Sequence, residues 1–285
     1  MQGSPQAGRG RSGLPPGGAA DEGALERGNR SLGNAPDAGA LEMTLLGPEL
    51  EALTDAAVCV SGAAMELERN GLVVAAAEPV RLSAGDRLRL RAARAGTRAY
   101  LCVESGLQAP GRLGLTRRLE SGEILMIRAG APRPGARAPV ESAEAELPAA
   151  EPSDEIVLRV VLDPRHGRFF APLALERFLD TIFRVSSTSD RRGIRLEGEP
   201  VAVAGGGEMP PEGTALGTIQ IPAGGQPILL GPDRPITGGY ARVGTVIAAD
   251  WGRIAQAPPG RRVRFAAVTI AQALAARSGD AEGRE

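Results

Sequence analysis

Lysine is absent from this sequence, and histidine is nearly so. All 33 basic residues are arginines, and His166 is the single histidine. A lysine is required to form a Schiff base, to complete a Walker motif and to carry covalently attached biotin or lipoyl groups. One histidine also excludes any site in which two histidines bind the same metal ion. This chain therefore contains none of these four kinds of site.

Aromatic residues are also scarce, at 3% of the chain, and the formal net charge is only −1. A charge so near zero does not attract nucleic acid over a distance. So few aromatic rings provide no platform on which bases could stack. We therefore expect no nucleic-acid partner, and a core built mainly from Val, Leu, Ile and Ala.

The sequence contains no apolar run long enough for a membrane helix, and MQGSPQAGRGRSG at its start lacks the apolar stretch of a signal peptide. We expect a cytoplasmic protein that makes no membrane contact. Cys59 and Cys102 lie in apolar runs without CxxC spacing, which predicts two small buried side chains. His166 lies in LDPRHGRFF without a nucleophile motif, which favours a solvated turn.

Short apolar runs punctuated by Gly, Pro or Asp predict a mostly β fold with few helices. We divide the chain into a Gly/Pro-rich N-terminal segment at 1–38, a first β unit at 39–128, a linker at 129–155 and a second β unit at 156–285. The linker is predicted because Pro, Ala and Glu dominate there without periodicity. The main motifs lie in the second unit.

Three helices are predicted. The first runs from about Asp21 to Leu32, with Asp21 as its N-cap. The second begins near Pro172, a residue that suits a first helical turn, and TIAQALAARS (269–278) predicts a closing helix. The apolar face of the second helix is formed at helical spacing by Leu175, Phe178, Leu179 and Ile182. Separate strands are predicted for DRLRLRAA (86–93), RAYLCVESG (98–106) and VGTVIAAD (243–250).

Glycine and polar residues concentrate in four segments of the second unit, each at a predicted strand end, where loops carry function. Arginine forms bidentate bonds with carboxylate or phosphate, glutamine reads amides, and adjacent glycines let backbone N–H groups approach an anion. The segments therefore suit recognition of a small polar molecule that bears an amide or a carboxylate. They are SSTSDRRGIRLEG (186–198), AGGGEMPPEG (204–213), GTIQIPAGGQPILL (217–230) and DRPITGGYARVG (233–244).

Each segment, taken singly, also fits a purely structural role. The Asp190–Arg191 and Asp233–Arg234 dipeptides are also typical of weak surface charge pairs. The glycine-rich stretches AGGGE and AGGQ are typical of hairpin turns, and TGGY is typical of a bend or bulge with Tyr240 at the edge of the core. The residue patterns alone leave these alternatives open.

Residues 186–250 resemble the carboxyltransferase-domain family that includes the C subunit of 5-oxoprolinase. The matching patterns of that family are SDRxGxRLxG, IQVP followed by GQPI, and DRQTTGGYPKIGTV. In the first unit, ALEMTLLGP resembles the family's ALExTLxGP, and AGTRAYLCVESGL resembles its GxRxYLAVxGG. The family also includes the second subunit of allophanate-hydrolase-like proteins, the carboxyltransferase domain of urea carboxylase and the regulator KipA. The resemblance extends over residues 13–270.

The resemblance implies a fold of two cyclophilin-like β-barrel units. It also implies a subunit of an ATP-dependent 5-oxoprolinase complex, which hydrolyses 5-oxo-L-proline to L-glutamate. ATP with Mg would act in that complex, because a cyclic amide is a poor electrophile until its carbonyl is phosphorylated. The implied partners are proteins like the A and B subunits of 5-oxoprolinase.

Site residues follow from the resemblance as well. Arg191 and Arg234 are expected to clamp anions, and Glu208 or Asp190 to act as an acid–base or orienting group. TGGY is expected to be a turn that forms part of a pocket wall, and no metal ligand is implied. The implied catalytic residues are Asp190, Arg191, Glu208 and Arg234. The implied substrate-binding residues are Gln220, Gln226, Asp233, Thr237, Gly238, Gly239 and Tyr240, with the two glutamines reading the amide.

Two alternatives remain open. One is carboxyl transfer from carboxybiotin to a urea-like acceptor, with biotin supplied by a partner because this chain has no lysine. The other is a KipA-like regulatory binding subunit or a pseudoenzyme. The family's Gly-Ser-Arg-Ser-Thr segment is shorter and altered here, at residues 114–123, which favours the regulatory alternative. Arg242 also replaces the lysine of the family's TGGYPK pattern, and the two are not equivalent.

Overall fold

The computed structural model of the chain describes residues 1–3, 5, 8–108, 118–128 and 155–282. The described residues among 1–6 and 17–152 form one compact unit, and those among 7–16 and 153–285 form a second. The predicted linker at 129–155 lies outside the described residues, apart from Glu155, which begins a strand. The predicted domain boundaries therefore stay a prediction.

The first unit is an antiparallel sheet with one helix, α1 (Glu22–Ser31), among its described residues. The strands are β1 (Leu41–Thr44), β2 (Glu49–Glu51), β3 (Ala56–Arg69), β4 (Leu72–Val74), β5 (Val80–Leu82), β6 (Arg87–Val103), β7 (Leu107–Gln108) and β8 (Met126–Ile127). The sheet order is β1–β6–β3–β4, with β2 paired to β6 and β5 paired to β3, while β7 and β8 pair separately.

Two long strands, β3 and β6, form the centre of this sheet. They contain 14 and 17 residues and pair with each other along most of their length. The prediction of separate strands at 86–93 and 98–106 was therefore wrong, because both runs belong to β6. Gly96, with φ of +77°, and register shifts in the pairing with β3 accommodate the irregular middle of β6 as a bulge, so the strand does not end there.

Helix α1 confirms the prediction for this part of the chain. The carboxylate of Asp21 accepts a hydrogen bond from the Ala24 N–H at 3.0 Å and so caps the helix start. Gly28 lies within the helix, where it costs about 1 kcal/mol relative to alanine. A Cβ at Gly28 would lie 2.5 Å from Ser61 Oγ and 2.7 Å from Cys102 Sγ. Glycine therefore lets α1 pack directly on β3 and β6.

The second unit contains three helices and eight strands among its described residues. The helices are α2 (Pro172–Asp180), α3 (Ala248–Ala255) and α4 (Ile270–Glu282). The strands are β9 (Glu155–Leu162), β10 (Phe183–Val185), β11 (Gly193–Glu197), β12 (Glu208–Gly213), β13 (Thr218–Ile221), β14 (Ile228–Leu230), β15 (Thr237–Val246) and β16 (Arg262–Ala267). No helix in the described part of the chain is long and apolar enough to cross a membrane.

Seven strands of the second unit close into a barrel. They follow the order β15–β13–β14–β11–β10–β16–β9, and β9 pairs back to β15. β9 and β16 run parallel, and the other pairs of the ring are antiparallel. β12 lies outside the ring and pairs with β15. The predicted mostly β class is confirmed. Of the two expected barrels, the second unit forms a closed one, whereas the pairings among the described strands of the first unit form an open sheet. The likeness to cyclophilin stays a prediction.

Helix α2 packs against one part of the barrel core. It begins at Pro172, as predicted, and its Phe178 is fully buried and stacks on Phe265 with ring centroids 4.6 Å apart. Ile182 lies beyond the end of the helix and is 41% exposed. Its predicted place on the apolar face was wrong because the chain leaves the helix after Asp180 to enter β10.

Helix α3 replaces part of a predicted strand. The strand predicted at 243–250 ends at Val246, and α3 begins at Ala248. Asp250, in the first turn of the helix, is 1% exposed, and its carboxylate accepts a hydrogen bond from the Arg159 backbone N–H at 2.7 Å. A tertiary contact with β9 therefore fixes this helix start. Helix α4 confirms the helix predicted from TIAQALAARS.

Candidate functional site

The loop at 231–236 and strand β15, which pairs with β12 and β13, bring the four glycine-rich and polar segments together. The Gly231 N–H donates to the Arg192 carbonyl at 2.9 Å, and the Ile236 carbonyl accepts from the Thr214 N–H at 3.0 Å. β13, in the third segment, pairs with β15, in the fourth. TGGY lies within β15, so the prediction that it forms a turn was wrong: β12 provides it with a hydrogen-bonded partner strand.

Arg191 and Asp233 form a bidentate ion pair. Arg191 Nε lies 2.8 Å from Asp233 Oδ2, and Arg191 Nη2 lies 3.1 Å from Asp233 Oδ1. Their side chains are 18% and 22% exposed. A Cβ at Gly231 would clash with the carbonyl oxygen of Arg191, so glycine permits the loop to approach this closely. The predicted anion clamp and the predicted substrate-binding aspartate therefore bind each other.

Arg234 follows this pair and has a different environment. Its side chain is partly buried, with Nε 3.4 Å from the carbonyl oxygen of Thr214 and Nη1 3.4 Å from that of Gly231. None of the described carboxylates forms an ion pair with it. Burial lowers the pKa of its guanidinium. Backbone carbonyls do not neutralise the charge of a guanidinium, whereas Asp233 neutralises that of Arg191. Of the two predicted clamps, Arg234 is therefore the one available to bind an anion.

The two predicted acid–base carboxylates are both exposed but have different surroundings. Asp190 Oδ1 accepts hydrogen bonds from the N–H groups of Arg192 at 2.8 Å and Gly193 at 3.0 Å, so it stabilises its own turn. Glu208 begins β12 opposite Tyr240, which is 44% exposed. Within the described residues, the Glu208 carboxylate has no hydrogen-bond partner. No group of three metal-ligating side chains occurs in that part of the chain.

The two predicted amide-reading glutamines are placed differently. Gln226, between β13 and β14, bonds the backbone of Gly198 through both ends of its amide, at 3.1 Å each. Gln220, on β13, is 4% exposed, and its Nε2 is buried without a hydrogen bond among the described residues. A Cβ at Gly238 would clash with that Nε2 atom. The structure thus brings Gln220 to the TGGY backbone.

The remaining predicted binding residues lie where β12 pairs with β15. Thr237 pairs with Gly213, and Gly238 pairs with Glu212. A Cβ at Gly239 would lie 3.0 Å from the Met209 carbonyl oxygen, so this part of the strand pair is closely packed. The two glycines therefore permit close contact between strands, and Tyr240 extends the same edge towards solvent.

A cluster of four charged side chains was not predicted. Glu212 Oε1 lies 2.7 Å from Arg165 Nη1, and Glu212 Oε2 lies 2.5 Å from Arg242 Nη2. Asp163 Oδ1 lies 3.2 Å from Arg165 Nε, and its Oδ2 lies 3.5 Å from Arg242 Nε. His166 follows in a single 3-10 turn, as predicted, but it is half-buried and not fully solvated, with Nδ1 2.5 Å from the Asp163 carbonyl oxygen. The replacement of the family lysine by Arg242 was the one sequence signal for this cluster.

Hydrogen bonds within this cluster shift its ionisation. Those from Arg165 lower the pKa of Glu212 and outweigh its burial. Burial raises the pKa of Asp163, but hydrogen bonds and charge from Arg165 outweigh it, so that pKa is lowered too. The pKa of Arg165 is raised, first by its hydrogen bonds to Glu212. Both carboxylates are therefore held ionised between two arginines.

The family model for "Carboxyltransferase domain, subdomain A and B" matches residues 12–267. The chain belongs to this family. It is 30% identical to the C subunit of 5-oxoprolinase from Escherichia coli K12, covering 94% of this chain and 87% of that protein. It is 31% identical to the C subunit of 5-oxoprolinase from Haemophilus influenzae, covering 92% of this chain and 86% of that protein.

Longer carboxyltransferase-family proteins contain a similar region. The structure of Kluyveromyces lactis urea carboxylase matches with a TM-score of 0.81 at 25% identity, over 95% of this chain and 26% of that chain. Urea amidolyase of Lachancea kluyveri is 28% identical over 91% of this chain, which spans 16% of that protein. The family assignment drawn from the sequence motifs is confirmed, and the closed barrel belongs to a fold shared with urea carboxylase.

Within this carboxyltransferase-family chain, the arrangement offers a cation and a hydrogen-bond donor near one loop. Arg234 can bind a carboxylate or phosphoryl oxygen, and Gln220 holds an unused N–H donor. Glu208 offers an exposed carboxylate that can exchange protons with a ligand or solvent. The catalytic and binding roles assigned to these residues stay predictions.

Proposed function

We propose that this chain is the C subunit of an ATP-dependent complex that hydrolyses 5-oxo-L-proline to L-glutamate. The observation that carries this proposal is the length of the match to two proteins named as C subunits of 5-oxoprolinase. Each match covers at least 92% of this chain and at least 86% of the relative. The matched urea amidolyase contains the same region as 16% of its length. The match therefore spans most of both named C subunits but only a small part of the urea amidolyase, which favours the 5-oxoprolinase reading.

Arg234 supports the proposal chemically. The substrate bears a carboxylate. Transfer of the terminal phosphoryl group of ATP to the lactam oxygen, with ADP leaving, would make the ring carbon electrophilic. Addition of water there would then break the ring C–N bond and release glutamate and phosphate. The carboxylate and the transferred phosphoryl group are both anions, and each charge-assisted hydrogen bond to an arginine contributes about 1.5–3 kcal/mol. Arg234 has no carboxylate partner among the described residues, so it fits either anion. Arg191, bound to Asp233, would position the loop that carries Arg234.

The proposed activity belongs to a complex. The relatives are named as one subunit of an enzyme, which supports partner subunits, and we propose proteins like the A and B subunits of 5-oxoprolinase in those places. ATP with Mg would be a substrate of that complex. We keep the cytoplasm as the proposed location, with no nucleic-acid or membrane partner. Glu208 and Asp190 remain the proposed acid–base or orienting groups.

The test is glutamate release from 5-oxoproline by the full chain co-purified with its partner subunits, with and without ATP. We expect release to require ATP, and Arg234→Ala to lower kcat/KM by roughly 10- to 100-fold, as loss of one such bond implies. Arg264→Ala is the matched control, because the exposed side chain of Arg264 pairs with Glu155 on β9, away from the loop that carries Arg234. A wild-type complex that releases no glutamate from 5-oxoproline contradicts the proposal.

Carboxyl transfer from carboxybiotin to a urea-like acceptor is the second candidate. The fold match to urea carboxylase at a TM-score of 0.81 favours it. Because residues 1–285 contain no lysine, biotin would be attached outside them. Avidin, which sequesters biotin, would abolish that activity and leave 5-oxoproline hydrolysis unchanged. A stable complex that does neither reaction would support the regulatory alternative.

A further inference from the structure

Gln220 and Gln226 are predicted from the sequence to read an amide, but their side chains have opposite surroundings. Gln226 Oε1 accepts from the Gly198 N–H at 3.1 Å, and its Nε2 donates to the Gly198 carbonyl at 3.1 Å. Both ends of that amide are therefore occupied by the backbone at the end of β11. The two hydrogen bonds to Gly198 therefore give the Gln226 side chain a structural role.

Gln220 has no such contact for its donor. The residue is 4% exposed, and its Nε2 atom is buried without a hydrogen bond in the described part of the chain. Buried polar groups are almost always paired, because an unpaired donor loses its hydration without compensation. An exception of this kind calls for a partner outside the described residues, such as a ligand or a bound water.

The surroundings of Gln220 connect it to Arg234. Thr214 Cγ2 lies 3.2 Å from the position of a Cβ at Gly238, a position that also clashes with Gln220 Nε2. The carbonyl oxygen of the same threonine accepts from Arg234 Nε at 3.4 Å. One residue, Thr214, therefore lies against the backbone that covers the amide and also bonds the guanidinium. The unused donor and the unpaired cation belong to one neighbourhood.

Two neighbours of Gln220 Nε2 belong to the strand pair β12–β15 or follow it directly. They are Gly238, at the start of β15, and Thr214, just after β12. β12 pairs with β15 alone among the described strands, its register shifts between Glu208 and Glu212, and it contains two prolines, which donate no backbone hydrogen bond. An acceptor atom would reach Nε2 through a displacement of this strand pair.

We propose that Gln220 Nε2 donates a hydrogen bond to the carbonyl oxygen of a small amide substrate, beside the anion bound by Arg234. Gly238 is then glycine because any Cβ would occupy the space that the acceptor needs. Gln226 has no part in recognition. This inference rests on the proposed function for the identity of the amide, but the donor itself accepts any amide carbonyl, including that of urea.

The test compares Gln220→Met with Gln226→Met in the full chain within its complex, using 5-oxoproline and urea as calorimetric probes. We expect Gln220→Met to weaken probe binding at least tenfold. The same variant should unfold at the wild-type temperature or above, because it removes an unpaired buried polar group. Gln226→Met is the contrasting variant: it should unfold about 2–4 °C lower, and the inference requires it to bind the probe within twofold of the wild-type affinity. Gln272→Met, at an exposed position on α4, is the matched control and should leave probe affinity unchanged.

The outcomes separate this inference from the proposed function. Tight 5-oxoproline binding that is unchanged in Gln220→Met would overturn the inference and leave the function standing. Urea binding without 5-oxoproline binding, lost in Gln220→Met, would support the inference and overturn the function. If Gln220→Met lowers the unfolding temperature as much as Gln226→Met, the amide is a structural group, and the inference fails. It also fails if the wild-type complex binds neither probe.

Discussion

Arg191 and Asp233 are joined by two parallel hydrogen bonds of 2.8 and 3.1 Å between guanidinium and carboxylate. The Asp233 N–H also donates to the Arg191 carbonyl at 3.0 Å, so backbone and side chains connect the same two loops. Arg234 comes directly after this connection. The pair therefore fixes where the unpaired cation enters the site, which makes Arg191 a positioning residue within the proposed function.

Arg191→Lys tests that positioning role. A lysine ammonium cannot form the two parallel bonds of a guanidinium, so we expect the free energy of unfolding to fall by about 1–3 kcal/mol. In the complex, KM for 5-oxoproline should rise more than kcat falls, because the position of Arg234 is disturbed and the chemistry is not. Chemical denaturation and steady-state kinetics measure the two effects.

A double-mutant cycle with Asp233→Asn provides the control for Arg191→Lys. If the two residues act as one unit, the double variant should be little less stable than either single variant. Additive losses of stability would show that each residue acts through other contacts and would contradict the positioning role.

Asp250→Ala should be among the most destabilising substitutions in the barrel unit. The buried carboxylate bonds Arg159 through its backbone N–H, its Nε and its Nη2, at 2.7, 3.0 and 2.5 Å. Removing one partner of a buried ion pair costs about 3–5 kcal/mol, and we expect the lower end because the Arg159 side chain is 42% exposed. Urea denaturation measures the loss. Glu199→Ala, which removes an exposed carboxylate, should change stability by less than about 0.5 kcal/mol.

The sequence predicts elements whose signals are local and misses those fixed by distant contacts. Asp21 caps α1 through a residue three positions away, so its role is readable from the sequence. Helix α3 begins where Asp250 reaches Arg159, 91 residues away, and no local pattern reveals that contact. Gln220 and Gln226 are the same residue type in one short segment, and only tertiary contacts distinguish the occupied amide from the unused one.

The two cysteine thiols should be nearly inert in the folded protein. Cys59 on β3 is in register with Cys102 on β6, and both are buried. Burial raises the pKa of the Cys59 thiol to about 11 and that of Cys102 to about 12. Because the thiolate is the reactive form, a disulfide reagent at mildly alkaline pH should label both thiols quickly in denaturant and slowly without it. Rapid labelling of the folded chain would contradict the buried placement.

Acid should weaken the barrel unit through the charged cluster around Glu212. Hydrogen bonds from Arg165 lower the pKa of Glu212 below its ordinary 4.5, and the pKa of Asp163 lies below its ordinary 3.8. Each group binds a proton less readily when folded than when unfolded. Its stabilising contribution is therefore fully present above the ordinary pKa and disappears as the pH falls through the lowered value.

Glu212→Gln isolates this contribution, because glutamine keeps the shape of the side chain and loses the charge. The wild-type midpoint of urea denaturation should fall steadily below a pH of about 4.5, and Glu212→Gln should start lower at neutral pH and fall less. Glu176→Gln, at an exposed position on α2, should reproduce the wild-type profile. Parallel pH profiles for wild type and Glu212→Gln would mean that the two arginines do not stabilise the ionised carboxylate. In that case, salt added at neutral pH should change neither midpoint.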